Sequence, residues 1–215
     1  MVVSVFDIFS IGVGPSSSHT VGPMRAANRF LKEAKTKGYF EQISSLKINL
    51  YGSLAMTGKG HLTDQAILLG LQGHLPESID PSKIEGIIAS IQEDKNISLL
   101  SDKKISFDPE KDLLFVKEKS LPLHPNAFQI CAYDSNNKKI GFNSYYSIGG
   151  GFVLDHKQAT NPTDLKETNV RHPFKTAKEL LYFCKREKKK IYQIMLENET
   201  AYKPEANIRK NLLHI

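Results

Sequence analysis

The spacing of apolar positions switches along the chain between a helical and a strand period, and these switches lay out the expected elements. Ser4 to Val13 is apolar enough for a first buried strand or short segment. Gly12, Gly14 and Pro15 then force a turn, because glycine permits positive φ and proline fixes φ near −65°. Val21, Met24, Ala27, Leu31 and Ala34 recur at helical spacing, with Arg25, Arg29 and Lys32 on the wet side. Thr20 is the expected N-cap, Pro23 fits a first turn, and Lys37-Gly38 supplies a basic last turn closed by glycine. Leu46, Ile48 and Leu50 alternate with Lys47, Asn49 and Tyr51, a strand with one buried face. Gly52 to Gly60 reads as a loop. Thr63 or Asp64 caps a helix striped by Ile67, Leu68 and Leu71 and stopped by Gly73.

Asp80-Pro81 reads as an N-cap and first helical residue, followed by an apolar face of Ile84, Ile87, Ile88 and Ile91. From Lys95 the pattern turns to short strands: Ile105 with Phe107, then Leu113 to Val116. Phe128, Ile130 and Ala132 pair across a turn at Asp134 to Lys138 with Ile140, Phe142, Ser144 and Tyr146, which predicts a hairpin. Asn143 to Ser147 reads as a solvated strand face and leads into Gly149-Gly150-Gly151. Asp155 to Pro173 is polar and without period, a linker. Thr176-Ala177-Lys178-Glu179 is a capping box opening a helix, with further helical stretches at Ile191 to Met195 and Ile208 to Ile215. The last stripe stops without a cap, which predicts that the chain continues into a helical domain.

Composition narrows the class. With 40% hydrophobic and 24% charged residues among 215, the chain suits a globular protein with one sizeable core or a domain plus an appendage. No apolar run approaches the roughly 20 residues that cross a bilayer, and the N-terminal stretch lacks a basic region typical of a leader. A cytoplasmic protein with no membrane association is the expectation. Much of the net charge of +6 lies in Lys185-Arg186-Glu187-Lys188-Lys189-Lys190, which reads as a solvated helix face rather than a nucleic-acid patch. Two isolated cysteines, Cys131 and Cys184, argue against a disulfide framework and cannot alone make a four-thiolate metal site.

Two glycine-edged corners carry the candidate chemistry: Gly14-Pro15-Ser16-Ser17-Ser18-His19-Thr20 and Gly58-Lys59-Gly60-His61-Leu62-Thr63-Asp64. Each places hydroxyls, an imidazole and backbone N–H groups ahead of a helix, where a carboxylate is favoured. His61 reads either as a general base or as a capping or surface histidine, and His19 has the same two readings. The second corner is not a phosphate loop. Five residues rather than four separate Gly52 from Gly58, and Gly60 stands where Ser or Thr would hold Mg²⁺. His124-Pro125-Asn126 reads as a rigid turn or as a second small-molecule site. The glycines at 149–151 read as a bulge or as a place for close backbone approach.

Taken together, Gly14 to Met24, Tyr51 to Asp64 and Ser147-Ile148-Gly149-Gly150-Gly151-Phe152 resemble three signatures of the iron–sulfur L-serine dehydratases, in the bacterial single-chain type. The resemblance implies an α+β fold: a two-layer α/β sandwich with a mixed or antiparallel sheet, similar to an allosteric-substrate-binding domain, followed by a helical segment. It implies a β domain over 1–155, a linker over 156–175 and the start of a helical α domain over 176–215. The implied reaction is α,β-elimination of L-serine to pyruvate and ammonia. A four-iron four-sulfur cluster would act as Lewis acid on the hydroxyl, with its ligands outside this chain and none expected within it. His61, His19 and Thr63 are the expected catalytic residues, with His61 as base. Ser16, Ser17, Ser18, Ser147, Gly149 and Gly150 are expected to contact substrate. His124 and Asn126 are expected at a regulatory serine site, and an amino-acid-sensing domain without catalysis is the alternative. The other implied partners are the α domain and further copies in a homo-oligomer such as a homodimer.

Overall fold

The computed structural model describes residues 4–9, 11–161 and 168–215. The expectations that fall on 1–3, 10 and 162–167, including part of the predicted linker, lie outside the described residues. In chain order the elements are α1 (Val5–Ile8), α2 (Gly22–Thr36), β1 (Ser45–Tyr51), α3 (Gly52–Thr57), α4 (Thr63–Leu71), α5 (Ile84–Asp94), β2 (Asn96–Leu99) and β3 (Lys103–Ser106). There follow α6 (Pro109–Asp112), β4 (Leu113–Val116), β5 (Asn126–Tyr133), β6 (Lys139–Gly149), β7 (Phe152–Asp155) and α7 (His156–Thr160). The last three are α8 (Ala177–Glu187), α9 (Ile191–Glu199) and α10 (Glu205–His214). They form two compact units, Ile11–Pro162 and the combination of Met1–Ser10 with Thr163–Ile215.

The larger unit is α+β, as the sequence led us to expect. Its five-stranded mixed sheet runs in the order β4-β1-β5-β6-β7, with β1 parallel to β4 and every other neighbour antiparallel. The predicted hairpin is β5–β6. Register aligns Leu50 with Phe128 and Phe128 with Tyr145, so large apolar groups meet on one face. Leu46, Ile48, Leu50, Phe128, Ile130 and Tyr145 are fully buried there and join Met24, Phe30 and Leu31 of α2 and Ile67 and Leu71 of α4 in one core. On the opposite face Lys47 and Phe142 are exposed and Gln129 and Cys131 half-buried. The helices α2 and α4 approach closely enough that a β-carbon on Gly70 would stand 2.1 Å from Met24 O.

Several local expectations change. Residues Val5–Ile8 form a helical turn capped by Ser4, and Ile8 and Phe9 are exposed, so this segment is no buried strand. Ser16 replaces Thr20 as the cap: its hydroxyl accepts from His19 N at 3.2 Å, ahead of a wide turn over Ser17–Val21 that runs straight into α2. Thr20 is buried within that turn. The expected loop from Gly52 begins as a helix, α3, because Gly52 takes a φ of 53° and lets Pro125 O come within 2.4 Å of where a β-carbon would be. Neither Thr63 nor Asp64 caps α4; Leu62, in left-handed conformation at φ 57°, precedes it. Ser144, Tyr145, Tyr146 and Ser147 are buried rather than solvated. The start of the predicted linker is a short helix, α7, with Asp155 and Gln158 forming a capping box. Asp155 also accepts from Arg29 of α2, which donates to Gln158 Oε1 at 3.0 Å.

The smaller unit is helical. Glu199 closes on the start of α1, accepting from Ser4 Oγ at 2.8 Å and from Val5 N at 2.7 Å. The predicted capping box of Thr176 and Glu179 opens α8. His172 is clasped to α9: its N–H donates to Asn198 Oδ1 at 2.8 Å, its carbonyl accepts from Asn198 Nδ2 at 2.9 Å, and its Nε2 meets Glu197 Oε2 at 2.7 Å. Within the basic run Lys185, Arg186, Lys188 and Lys190 are exposed, while Lys189 turns onto Glu197. Among the described residues no helix is long and apolar enough to cross a membrane.

Candidate active site

The two glycine-edged corners meet. The first is shaped by Gly14, at φ 80°, whose missing β-carbon leaves room for the Thr20 side chain; a β-carbon there would lie 2.6 Å from Thr20 Cγ2. Thr20 thereby reaches across, and its hydroxyl donates to His61 O at 3.0 Å. The ring centroids of His19 and His61 are 4.7 Å apart, with planes tilted by 40°.

Each ring has a defined set of partners. His61 Nδ1 lies 3.0 Å from Thr57 O. A carbonyl oxygen can only accept, so in this bond Nδ1 carries the hydrogen and Nε2 of the neutral ring keeps its lone pair. The backbone N–H of His61 also points to Thr57 O and Gly58 O, both at 3.2 Å, and Thr63 N donates to Gly58 O at 2.9 Å. The loop is therefore tied to the end of α3. His19 is held at both nitrogens, Nδ1 by Ser18 Oγ at 2.8 Å and Nε2 by Ser53 Oγ at 3.0 Å. Burial, and then the nearby His61, push the His19 imidazole below its usual pKa, while a bond to the Ser53 backbone opposes them in part. Lys59 is drawn aside onto Asp64 at 2.6 Å and over the Phe115 ring at 5.2 Å.

Ser16, Ser18 and His19 are half-buried and Ser17 is exposed. Ser147, at the end of β6, is fully buried, and its hydroxyl has no hydrogen-bond partner among the described residues. It sits against the first turn of α2, where a β-carbon on Gly22 would be 2.0 Å from Ser147 Oγ. Ser147 O accepts from Asn126 Nδ2 at 3.2 Å. The turn His124-Pro125-Asn126 belongs to the same neighbourhood: Asn126 N donates to His124 Nδ1 at 3.1 Å, and Pro125 O accepts from Ser53 N at 2.9 Å. Thr63 is fully buried, and its hydroxyl also lacks a partner among the described residues. Gly149 and Gly150 stand at φ 100° and 60°, conformations that suit glycine, and the space beside Gly149 is open.

Two cysteines cannot supply the four thiolates of a four-iron cluster. Cys131 lies on β5 and Cys184 on α8, and no group of three His, Cys, Asp or Glu side chains among the described residues could hold a metal ion.

Residues 4–158 match the family model of the serine dehydratase beta chain. The chain belongs to this family. It is 42% identical over 216 aligned positions to the L-serine dehydratase of Streptomyces coelicolor, covering 100% of this chain and 48% of that protein. L-serine dehydratase 1 of Escherichia coli is 36% identical, with 100% and 47% covered. The L-serine dehydratase of Helicobacter pylori is 41% identical, with 96% and 46% covered. The chain spans about half the length of these curated relatives.

In this chain, sequence reasoning singled out both histidines and the serine run but missed how two residues join them. Ser53 lay within the Tyr51 to Asp64 signature but was given no role, since a serine following a strand-end glycine is an ordinary turn residue. Thr20 read as a helix cap, and only its partner, a carbonyl in the other corner, shows what its hydroxyl does.

Proposed function

We propose that this chain supplies the substrate-handling half of an L-serine dehydratase, with the proton chemistry centred on the His19–His61 pair. The observation that carries the reading is the bond from His61 Nδ1–H to Thr57 O, which leaves the Nε2 lone pair available in a chain of this family. His61 Nε2 takes the α-proton of serine; the electron pair left on Cα forms the Cα–Cβ double bond as the Cβ–O bond breaks, and the leaving hydroxide takes that proton back from His61 to depart as water. The resulting aminoacrylate tautomerises and hydrolyses to pyruvate and ammonia. Removing a proton next to a carboxylate is difficult, so the carboxylate must be held by donors. The Ser17 hydroxyl serves that role with the backbone N–H groups of the Ser16-Ser17-Ser18 turn, while Ser16 and Ser18 hold the turn and the His19 ring in place. Gly149 and Gly150 let the backbone come close, and Thr63 supports the His61 loop from beneath. His19 stays neutral beside His61, so it does not repel the proton that His61 takes up. The cluster ligands are proposed to lie outside this chain.

The test is His61→Ala in the complete dehydratase. A general base contributes about 10²- to 10⁴-fold, so kcat falls by that order with KM little changed. Wild-type kcat in His61→Ala removes His61 from the role of base.

A further inference from the structure

One short helix holds both rings of the imidazole pair. At its start, Ser53 Oγ meets His19 Nε2 at 3.0 Å; at its end, Thr57 O accepts from His61 Nδ1 at 3.0 Å. The two ends are tied together, since Thr57 Oγ1 donates to Ser53 O at 2.9 Å. Ser53 is itself anchored by its backbone N–H, which donates to Pro125 O at 2.9 Å. Gly52, immediately before it, bridges to Asn126. The Ser53 hydroxyl thus comes from a framework independent of the serine run that carries His19.

We propose that Ser53 is a positioning residue for this pair: it sets the plane and tautomer of the His19 ring and, through α3, the spacing between His19 and His61. The inference rests on the reading of the pair as part of the dehydratase site. A neutral imidazole has one donor and one acceptor nitrogen, and the proposed order of the hydroxyls around His19 satisfies both. Ser16 Oγ accepts from His19 N at 3.2 Å and lies 3.4 Å from Ser18 Oγ, and in the proposed order its hydrogen points to Ser18. Ser18 then donates to Nδ1, and Nε2–H donates to Ser53 Oγ. The terminal donor of this chain is the Ser53 O–H. Without Ser53 the ring loses one of its two tethers and can swing about the other, and the spacing to His61 is no longer fixed.

The experiment is NMR of the histidine rings in the 215-residue chain, labelled with ¹⁵N, comparing wild type, Ser53→Ala and Ser53→Thr, with circular dichroism to confirm the fold. Expected in wild type is a single His19 tautomer with the hydrogen on Nε2. Ser53→Ala shifts the His19 ring-nitrogen signals toward the average of two exchanging tautomers, because the ring loses its tether at Nε2; Ser53→Thr restores them. In the complete dehydratase Ser53→Ala lowers kcat about 10- to 100-fold with KM within about threefold, and Ser53→Thr recovers it. The proposal is overturned if folded Ser53→Ala leaves the His19 ring-nitrogen signals at their wild-type values. If Ser53→Ala does not fold, wild type decides: an averaged tautomer, with the ring nitrogens exchanging, overturns it. An NMR response with no effect of His61→Ala on kcat refutes the catalytic reading alone. The absence of that response beside a normal His61→Ala loss refutes the Ser53 role alone.

Discussion

Gly22 and Ser147 are so close that a β-carbon on Gly22 would stand 2.0 Å from the Ser147 hydroxyl oxygen and 3.0 Å from Ser147 Cβ. The first turn of α2, which follows the serine run, is thereby seated directly on the end of β6, ahead of the triple glycine. Both sides are buried, so neither has an easy way to move. This contact sets where the first corner lies relative to the sheet.

Gly22→Ala is therefore expected to destabilise the chain by about 1–3 kcal/mol through overpacking, read as a lower urea midpoint. Because the clash is chiefly with Ser147 Oγ, adding Ser147→Ala should recover part of the loss, giving a favourable coupling in a double-mutant cycle. A Gly22→Ala midpoint equal to wild type would mean that the two elements are not in contact at this point.

The pairing of His19 with His61 makes a second prediction, about acid. The His19 pKa is held below its unfolded value of 6.5, first by burial and then by His61. Between those two values the unfolded chain binds more protons than the folded one, so stability is lost as pH falls below about 6.5 and stays lost at lower pH. His74, lowered by burial, acts in the same sense. Urea midpoints taken from pH 8 to pH 5 should fall, and His19→Gln should flatten part of that fall while leaving the share due to His74. An unchanged slope in His19→Gln would show that the ring titrates alike in both states.

Glu197 makes a third prediction, in the helical unit. The bond from Lys189, then that from His172, and the nearby Lys189 and Arg171 charges hold its carboxyl at about 2, against an ordinary 4.5. A depressed carboxylate stabilises above its unfolded value and loses that contribution as pH falls from 4.5 through 2. Glu197→Gln should lower the thermal midpoint at pH 7, and the difference from wild type should shrink as pH falls through 4.5 toward 2. A difference that persists undiminished at pH 2 would assign the effect to packing rather than charge.

The elements with a long, regular pattern were legible before any coordinates. Leu46, Ile48 and Leu50 marked β1, the alternation on both sides of Asp134 to Lys138 marked β5 and β6, and Thr176 with Glu179 marked the start of α8. Period and capping chemistry are local, so the residues concerned carry the signal themselves. Where local pattern misled, a distant group had intervened. Gly52 turns at positive φ into a helix with Pro125 O packed beside it, and Tyr145 is buried because β6 is covered by α2, far away in the chain.

The same division runs through the candidate site. Two histidines, a serine run and a triple glycine stand in the sequence at spacings that resemble one enzyme family, and the match over residues 4–158 places the chain there. Spacing could not say whether His61 was a base or a surface cap, because a tautomer depends on which atom the other nitrogen meets. That atom, Thr57 O, is near in sequence, but its direction is set by a helix the pattern did not predict. Nor could the chain order reveal that Ser53 and Asn126 adjoin the two corners, since hydrogen bonds across dozens of residues leave no periodic trace. Sequence determined which groups are available and which elements carry them. Tertiary structure alone decided which groups meet, because distance and direction between elements arise only when the core closes.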